Sequence, residues 1–434
     1  MTKGDIDRLG ERIGASKVVT DTDLEQLQEY RQSFQDSLSR VFSFVLKTAR
    51  KIDKQCIVTY RVKRIDTIIE KLRRFRENEN GEMRLSRMWD IGGCRCILNV
   101  ENYDKLYLLH DAIIKEFESG GAKCKVTDHI KEPSKSGYTS LHIYVKDKIT
   151  QKPIEIQIRN KAQHNWATLV EIVDLLYESK NKESGDNSPL GHFLYLFSKA
   201  KDLSENDFAE MLRIERRMRV FERMSRVLTR NYLNIRLQWL KQKVGGCYFV
   251  ITANRKKSEI VSYATFREAE AAYYEKYLAN SDSNIVLTYL QHPDFEQISM
   301  AYSNYVLAMH AFFDDYRAIL AERIIECVNN GQYRLFLRFF KIYNSDVRYH
   351  IENLSIEVKS IDACNKNHSV SKNQINKWMK EINHRLHLWY LETDMFLQKL
   401  LRAGDGNRIN RWLVKNRIRS LLKAVKEGLS VLQN

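Results

Sequence analysis

The sequence predicts an α+β fold: a mixed β-sheet flanked by helices, then a small β-β-α-β module and a mostly helical C-terminal region. Three observations predict it. Only 4 Pro and 17 Gly occur in 434 residues, and so low a turn-former content leans a chain toward helix. Between about 61 and 178 the apolar period switches repeatedly between that of a helix and that of a strand. From about Asp294 onward the period is helical almost throughout.

Taken in order, residues 1–55 form a helical lead, with Asp21, Asp23 and Glu25 ahead of the apolar positions Phe34, Leu38, Val41, Phe42 and Val45. A domain over 56–180 follows. In it Arg61 to Arg76 reads as a basic helix with Ile65, Ile68, Ile69 and Leu72 inward, CRCILNV as a strand and 102–118 as a helix. A turn at Ser136-Gly137 leads into the strand TSLHIYV, then PIEIQIR and a helix from Lys161 to Tyr177. The polar, Gly- and Pro-bearing stretch from 180 to 191 places a linker over 181–203. The span 204–312 holds a helix opened by Ser204 and Asp207 and running through Phe208, Met211, Leu212, Phe221, Met224 and Leu228. After Gly245-Gly246 come two strands, a helix boxed by Thr265 and Glu268, and the strand NIVLTYL. Residues 313–434 form a helical accessory domain with an apolar stripe through Ile375, Trp378, Ile382, Leu386, Trp389, Phe396 and Leu400.

Composition narrows the function classes. The 71 Lys+Arg against 55 Asp+Glu give a formal charge of +16. Residues 1–180 carry +5 of it and residues 181–434 carry +11, which favours phosphate-bearing partners such as nucleotides or RNA. No apolar run long enough to span a membrane occurs and no apolar leader opens the chain, so a cytoplasmic protein is expected. The seven cysteines are scattered and form no C-x-x-C pair, which argues against zinc fingers and disulfide scaffolds. Cys94 and Cys96 flank Arg95 on the opposite strand face and read as buried small hydrophobes. The His110-Asp111 pair reads as incidental to its helix.

The chemistry concentrates in PIEIQIR and LHIYV. Alternation sets Glu155, Gln157 and Arg159 on one face and Ile154, Ile156 and Ile158 on the other, and likewise His142 and Tyr144 against Leu141, Ile143 and Val145. One such strand is commonly only a solvated sheet face; two neighbours with the same asymmetry argue for a site. Asp90, at the entry to a strand, could join Glu155 in holding a hard divalent cation such as Mg²⁺ with phosphate oxygens. The cations Arg61, Lys63, Arg64, Lys71, Arg73, Arg74 and Arg76 suit a polyphosphate.

Four blocks in register, R-V-K from Arg61, D-I-G-G-C-R from Asp90, K-S-G-Y-T-S-L-H from Lys135 and E-I-Q-I-R-N from Glu155, resemble the synthetase domain of the RelA/SpoT alarmone synthetases. D-R-L-G-E-R from Asp7 and E-Y-R from Glu29 are similar to the lead of single-chain members. The resemblance implies a nucleotidyltransferase-like sheet and a pyrophosphokinase that passes the β,γ-diphosphate of ATP to the 3′-hydroxyl of GTP or GDP. It implies Asp90 and Glu155 as catalytic, Mg²⁺-holding carboxylates. Arg61, Lys63, Lys71, Arg74 and Arg95 would line the ATP site, with Tyr138, Lys135, His142, Gln157 and Arg159 at the acceptor.

The chain departs from the family after Trp166-Ala167, where Thr168 to Ile172 keep a single charge, Glu171, at positions often more polar. Too few residues precede Arg61 for the hydrolase domain of long members. Three readings therefore stand: an alarmone synthetase with GTP or GDP as acceptor, a toxin-type relative that modifies the 3′ end of tRNA, as in phage defence, and a catalytically silent nucleotide-binding protein. The basic helix from Arg408 reads first as a solvated helix packing by its Leu and Ile face, then as an RNA-contacting helix or as a partner or membrane-surface helix, and homo-oligomer formation is left open.

Overall fold

Eight strands make one sheet in the order β3-β4-β5-β2-β1-β8-β6-β7. The computed structural model describes every residue except 78–83, 120–122, 135–136, 178–187, 200–202, 243–245, 254–257, 280–283, 307–309, 368–369, 404–407 and 434. Helices α1 (Lys3–Ala15), α2 (Asp21–Gln32) and α3 (Gln35–Ile52) open the chain, followed by β1 (Ile57–Val62) and α4 (Ile65–Glu77). Next come β2 (Gly92–Leu98), α5 (Asp104–Glu118), β3 (Lys125–Asp128), β4 (Leu141–Lys146), β5 (Pro153–Asn160) and α6 (Lys161–Tyr177).

Register decides what each face of the sheet carries. β2 pairs parallel with β5, setting Gly93 beside Glu155 and Arg95 beside Gln157. β4 pairs antiparallel with β5, setting Tyr144 beside Glu155 and His142 beside Gln157. β1 pairs antiparallel with β2, setting Arg61 beside Gly93 and Thr59 beside Arg95. The opposite face carries Tyr60, Val62, Cys94, Cys96, Ile143, Ile154, Ile156 and Ile158, all buried with Leu38, Val41 and Phe42 of α3 and Leu109 and Ile113 of α5. Burying one face of β1, β2, β4 and β5 fixes their register, because a one-residue slip would turn each isoleucine toward the polar side.

The basic stretch from Arg61 differs from the sequence expectation of one helix: Arg61 lies in strand β1, which ends at Val62, and the helix starts at Ile65. Val58, Tyr60 and Val62 alternate inward, a strand period that the following run of charges obscures. The helix expected from Ser204 is two helices, α8 (Glu205–Met218) and α9 (Val220–Lys241), separated by Arg219 at φ 52°. A non-glycine residue in the left-handed region cannot continue an α-helix. Of Phe221 and Leu228 the side chains lie outside the described residues. Ser204 caps Asp207, and Thr265 with Glu268 forms the expected reciprocal box.

Part of the expected linker, 181–187 and 200–202, lies outside the described residues, as does Gly245; Pro189–Ser198 forms helix α7. The β-β-α-β order is present as β6 (Tyr248–Ala253), β7 (Ser258–Tyr263), α10 (Phe266–Ala279) and β8 (Asn284–Tyr289). These strands prolong the first sheet, since β8 pairs with β1 at Tyr60–Tyr289 and Arg61–Thr288. Met1–Lys199 and Leu203–Ala308 therefore make one compact unit, which also holds α11 (Phe295–Ala301) and α12 (Ser303–Val306).

The second unit, from residue 309 on, consists of α13 (His310–Asn329), α14 (Tyr333–Lys366), α15 (Lys372–Ala403) and α16 (Arg408–Gln433). The stripe on α15 is buried at Trp378, Ile382, Trp389, Phe396 and Leu400. Buried Glu357 accepts from Trp378 Nε1 at 2.7 Å and from Arg385 at 2.6 Å. No helix among the described residues is long and apolar enough to cross a membrane.

Gly92 and Gly93 offer a test of the two faces. A Cβ at Gly92 would lie 2.6 Å from Ile154 Cδ1 and 3.0 Å from Phe34, whereas at Gly93 it would meet only the Arg61 carbonyl at 4.0 Å. Gly92→Ala should cost about 1–3 kcal/mol of stability by overpacking. Gly93→Ala should leave the denaturation midpoint unchanged or slightly raised; paired urea melts check both.

Candidate functional site

The polar face forms two transverse rows. One runs Tyr144–Glu155–Gly93–Arg61 and the next His142–Gln157–Arg95–Thr59 across β4, β5, β2 and β1. Gly93, lacking a side chain, opens the floor between Glu155 and Arg61.

Asp90 and Lys63 flank this floor at the entry to β2 and the exit of β1. Asp90 accepts from Lys63 Nζ at 2.8 Å through Oδ2 and from Lys71 Nζ at 2.8 Å through Oδ1. Burial pushes the Asp90 pKa up, but the two ammonium groups more than offset it and the net shift is downward. Lys63 shifts down because burial outweighs the pull of Asp90. Lys71 and Arg74 lie one turn apart on α4, and residues three apart share a helix face.

A second cluster spans β4, β5 and the preceding loop. His142 Nδ1 lies 2.9 Å from Glu155 Oε1, and Gln157 donates to Glu155 Oε2 at 2.9 Å. Tyr138 meets His142 Nε2 at 2.8 Å through its hydroxyl, which also accepts from Ser140 at 3.0 Å and from Arg159. Arg159 also lies over the Tyr138 ring, 4.9 Å from its centroid. Burial alone would raise Tyr138, but Arg159, His142 and Ser140 bring it down to about 8. Burial would likewise raise Glu155, yet His142, Gln157 and the charge of Lys63 hold it at about 2. Lys135 lies outside the described residues.

Arg95 occupies the middle of the cation array. Its pKa falls to about 10 through burial first and then repulsion from Arg61 and Arg159. The chain's own segment after β8 meets it: Arg95 Nη1 donates to the Ala301 carbonyl at 2.9 Å, and its guanidinium lies 5.8 Å from the Tyr302 ring centroid. Tyr302 donates to Thr59 Oγ1 at 3.3 Å, Asn304 donates to Glu171, and buried His164 Nε2 lies 2.8 Å from the Met300 carbonyl. Burial, with the charges of Arg95 and Arg159, holds His164 neutral with a pKa of about 3, so Nε2 donates its hydrogen there. The sequence offered no signal for this cover, because Arg95 and Ala301 are 206 residues apart.

The site therefore gathers Arg61, Arg95, His142, Glu155, Gln157 and Arg159 on one face of one sheet with Lys63, Asp90 and Tyr138 on the loops at its edge, and Lys71 and Arg74 on the helix α4. Glu171, the single charge kept in the departing helix, is tied to Asn304 and adds its attraction at Arg61 and Arg95.

Comparison with known proteins finds a family match within this part of the chain. Residues 60–182 match the description "Region found in RelA / SpoT proteins". This stretch is similar to that region of the RelA / SpoT proteins. It holds every gathered residue from Arg61 to Arg159. No curated protein matches the chain. Among solved structures, the small alarmone synthetase 1 from Bacillus subtilis bound to its product pppGpp is 22% identical at TM-score 0.33, over 41% of this chain and 91% of that one. A GTP pyrophosphokinase family protein from Streptococcus pneumoniae is 23% identical at TM-score 0.30, over 42% of this chain and 97% of that one.

Titration of His142 tests the RelA / SpoT cluster. Burial lowers this imidazole, but Tyr138 and Glu155 outweigh it and raise its pKa above 6.5. A raised folded pKa contributes stability that is fully present below the unfolded value and lost as pH rises through the folded one. In Glu155→Gln the His142 midpoint, followed by NMR, should fall and this pH dependence of stability should shrink.

Proposed function

We propose that this protein is a Mg²⁺-dependent pyrophosphokinase that moves the β,γ-diphosphate of ATP to the 3′-hydroxyl of GTP or GDP and releases AMP. The observation that carries the reading is the placement of Arg61, Arg95 and Arg159 on the polar face that also presents Glu155, with Asp90 at the entry to β2, Arg95 being repelled by the other two guanidinium groups. A triphosphate with an acceptor phosphate supplies several negative charges to such a set of cations.

Arg61, Lys63, Lys71, Arg74 and Arg95 bind the donor in this reading. Lys135, Tyr138, His142, Gln157 and Arg159 bind and orient the acceptor, with Tyr138 stacking on its base. Arg159 covers one face of the Tyr138 ring, so stacking uses the other face or follows movement of Arg159. Asp90 and Glu155 fit Mg²⁺ by chemistry: both are hard oxygen donors, and the lysines now on Asp90 are groups that phosphate can draw away. The ion would neutralise charge on the transferring phosphate oxygens. A carboxylate held at about 2 is a weak base. What these side chains supply is chiefly an aligned 3′-oxygen and stabilisation of developing charge.

A second reading, an RNA 3′ end as acceptor, is favoured by α16. Its described surface exposes Arg408, Lys415, Arg417, Arg419, Lys423 and Lys426 around Trp412, which is 65% exposed, and cations beside an aromatic ring suit phosphates and a stacked base.

Incubation with γ-labelled ATP and either GTP, GDP or deacylated tRNA separates these readings: label should enter a guanosine nucleotide, label in tRNA selects the second, and none under any Mg²⁺ condition removes both. Asp90→Ala and Glu155→Ala should each lower transfer by about 10³-fold or more while circular dichroism stays unchanged; retained activity in either sinks its assignment. ATP must also displace the Ala301–Tyr302 contacts on Arg95. Tyr302→Ala, and Asn304→Ala as a variant that spares the core, should lower the KM for ATP by about 3- to 10-fold, and an unchanged KM counts against this competition.

A further inference from the structure

The loop that carries Lys63 is held from behind by residues outside the RelA / SpoT region. Arg31 of α2 donates from Nε to the Lys63 carbonyl at 2.8 Å and from Nη1 to Gln28 Oε1 at 2.5 Å and Glu270 Oε1 at 3.0 Å. Both side chains of the Arg31–Glu270 pair are fully buried. The ring of Tyr273 lies against the same guanidinium, 4.4 Å from its centroid, and its hydroxyl accepts the Ile65 amide hydrogen at 3.1 Å. Arg64 donates to Asn284 at the start of β8, while the Lys63 amide donates to the Ile91 carbonyl at 2.7 Å. Three consecutive residues, Lys63, Arg64 and Ile65, are thus each tied to α10 or β8, directly or through Arg31.

A fully buried ion pair contributes little net stability over well-packed apolar groups, because desolvation cancels most of the attraction. Its effect is geometric: an Arg fork fixes the direction of every acceptor around it. Here those acceptors are a carbonyl of the donor loop and a carboxylate of the accessory module. Neither is on the polar face, so this pair touches no substrate under the reading above.

We propose that Arg31, Glu270 and Tyr273 are positioning residues for the donor lysine. They make the accessory β-β-α-β module part of the ATP site by holding the Lys63–Ile65 loop, and this rests on the assignment of Lys63 to ATP. The module then sets ATP affinity without contributing a contact to ATP, and a partner that shifts α10 changes affinity through the same loop.

The test uses the full chain with Glu270→Gln, which keeps the shape and removes the charge, and Tyr273→Phe, which removes only a hydroxyl and survives if the first fails to fold. Hydrogen exchange at the Ile65 amide should quicken by about tenfold in each, with β2 and β5 unchanged. ATP dissociation constants should rise by about tenfold while the acceptor KM stays within about twofold. In a Lys63→Ala background neither substitution should weaken ATP binding further, the non-additivity expected of residues acting through one another. Unchanged exchange at 63–65, or a rise shared by the whole sheet, overturns the proposal. Selective loosening with unchanged ATP affinity overturns it too, and Lys63→Ala then tells which claim has failed. Weakened ATP binding in that variant leaves the donor assignment standing and removes only the positioning role; unaltered binding removes the assignment itself.

Discussion

Parallel pairing of β2 with β5 is the constraint on which the site depends. It sets Gly93 beside Glu155 and Arg95 beside Gln157, and the antiparallel neighbours β1 and β4 complete two rows of polar groups from four strands. The isoleucines of β5 lock that register, because Ile154, Ile156 and Ile158 are all fully buried on the other face. Shifting β5 by one residue would bury Glu155, Gln157 and Arg159 beneath α3 and α5 while exposing three isoleucines. The apolar face thus carries the energy of the fold, and the charges inherit their positions from it.

The charges on the polar face are not balanced pair by pair. Glu155 stays ionised against its burial because His142, Gln157 and Lys63 all favour the anion. Arg95, by contrast, is met by a carbonyl and an aromatic ring. Such neutral contacts satisfy a guanidinium's hydrogens without cancelling its charge. The face therefore keeps its attraction for a polyanion even while covered, and phosphate oxygens, which form charge-assisted bonds, compete well against a carbonyl.

Much of this was legible in the sequence, for a physical reason: strand alternation and helix periodicity are local. The polar faces of β4 and β5, the span of α6, the buried Cys94 and Cys96 and the cap at Ser204 all follow from neighbours within a few residues. β1 was obscured because Arg61, Lys63 and Arg64 overlay its alternation, so that the charges read as part of the helix behind it. The left-handed break at Arg219 has no glycine to announce it. Pairings between distant segments leave no local trace. Arg31 and Glu270 are 239 positions apart, and nothing in the period of either helix states that they meet.

The joining of β8 to β1 shows why such distant pairings matter. Only Tyr60–Tyr289 and Arg61–Thr288 are paired, a short ladder whose hydrogen bonds alone would be a weak seam. Side chains reinforce it. Tyr60 stacks on Tyr289 with centroids 4.8 Å apart, Phe42 meets Tyr289 edge-on at 5.2 Å, and Thr288 donates its hydroxyl to the Tyr60 carbonyl at 2.9 Å. Arg61, the last but one residue of β1, therefore faces the site from a strand whose outer edge belongs to the accessory module. The module is also buried in the same core as α3 and β1 through Val250, Phe266, Ala269, Tyr273, Ile285 and Leu287, so packing fixes it there as well as the seam. Arg61 and the Lys63 loop are the points at which this seam and the polar face share residues.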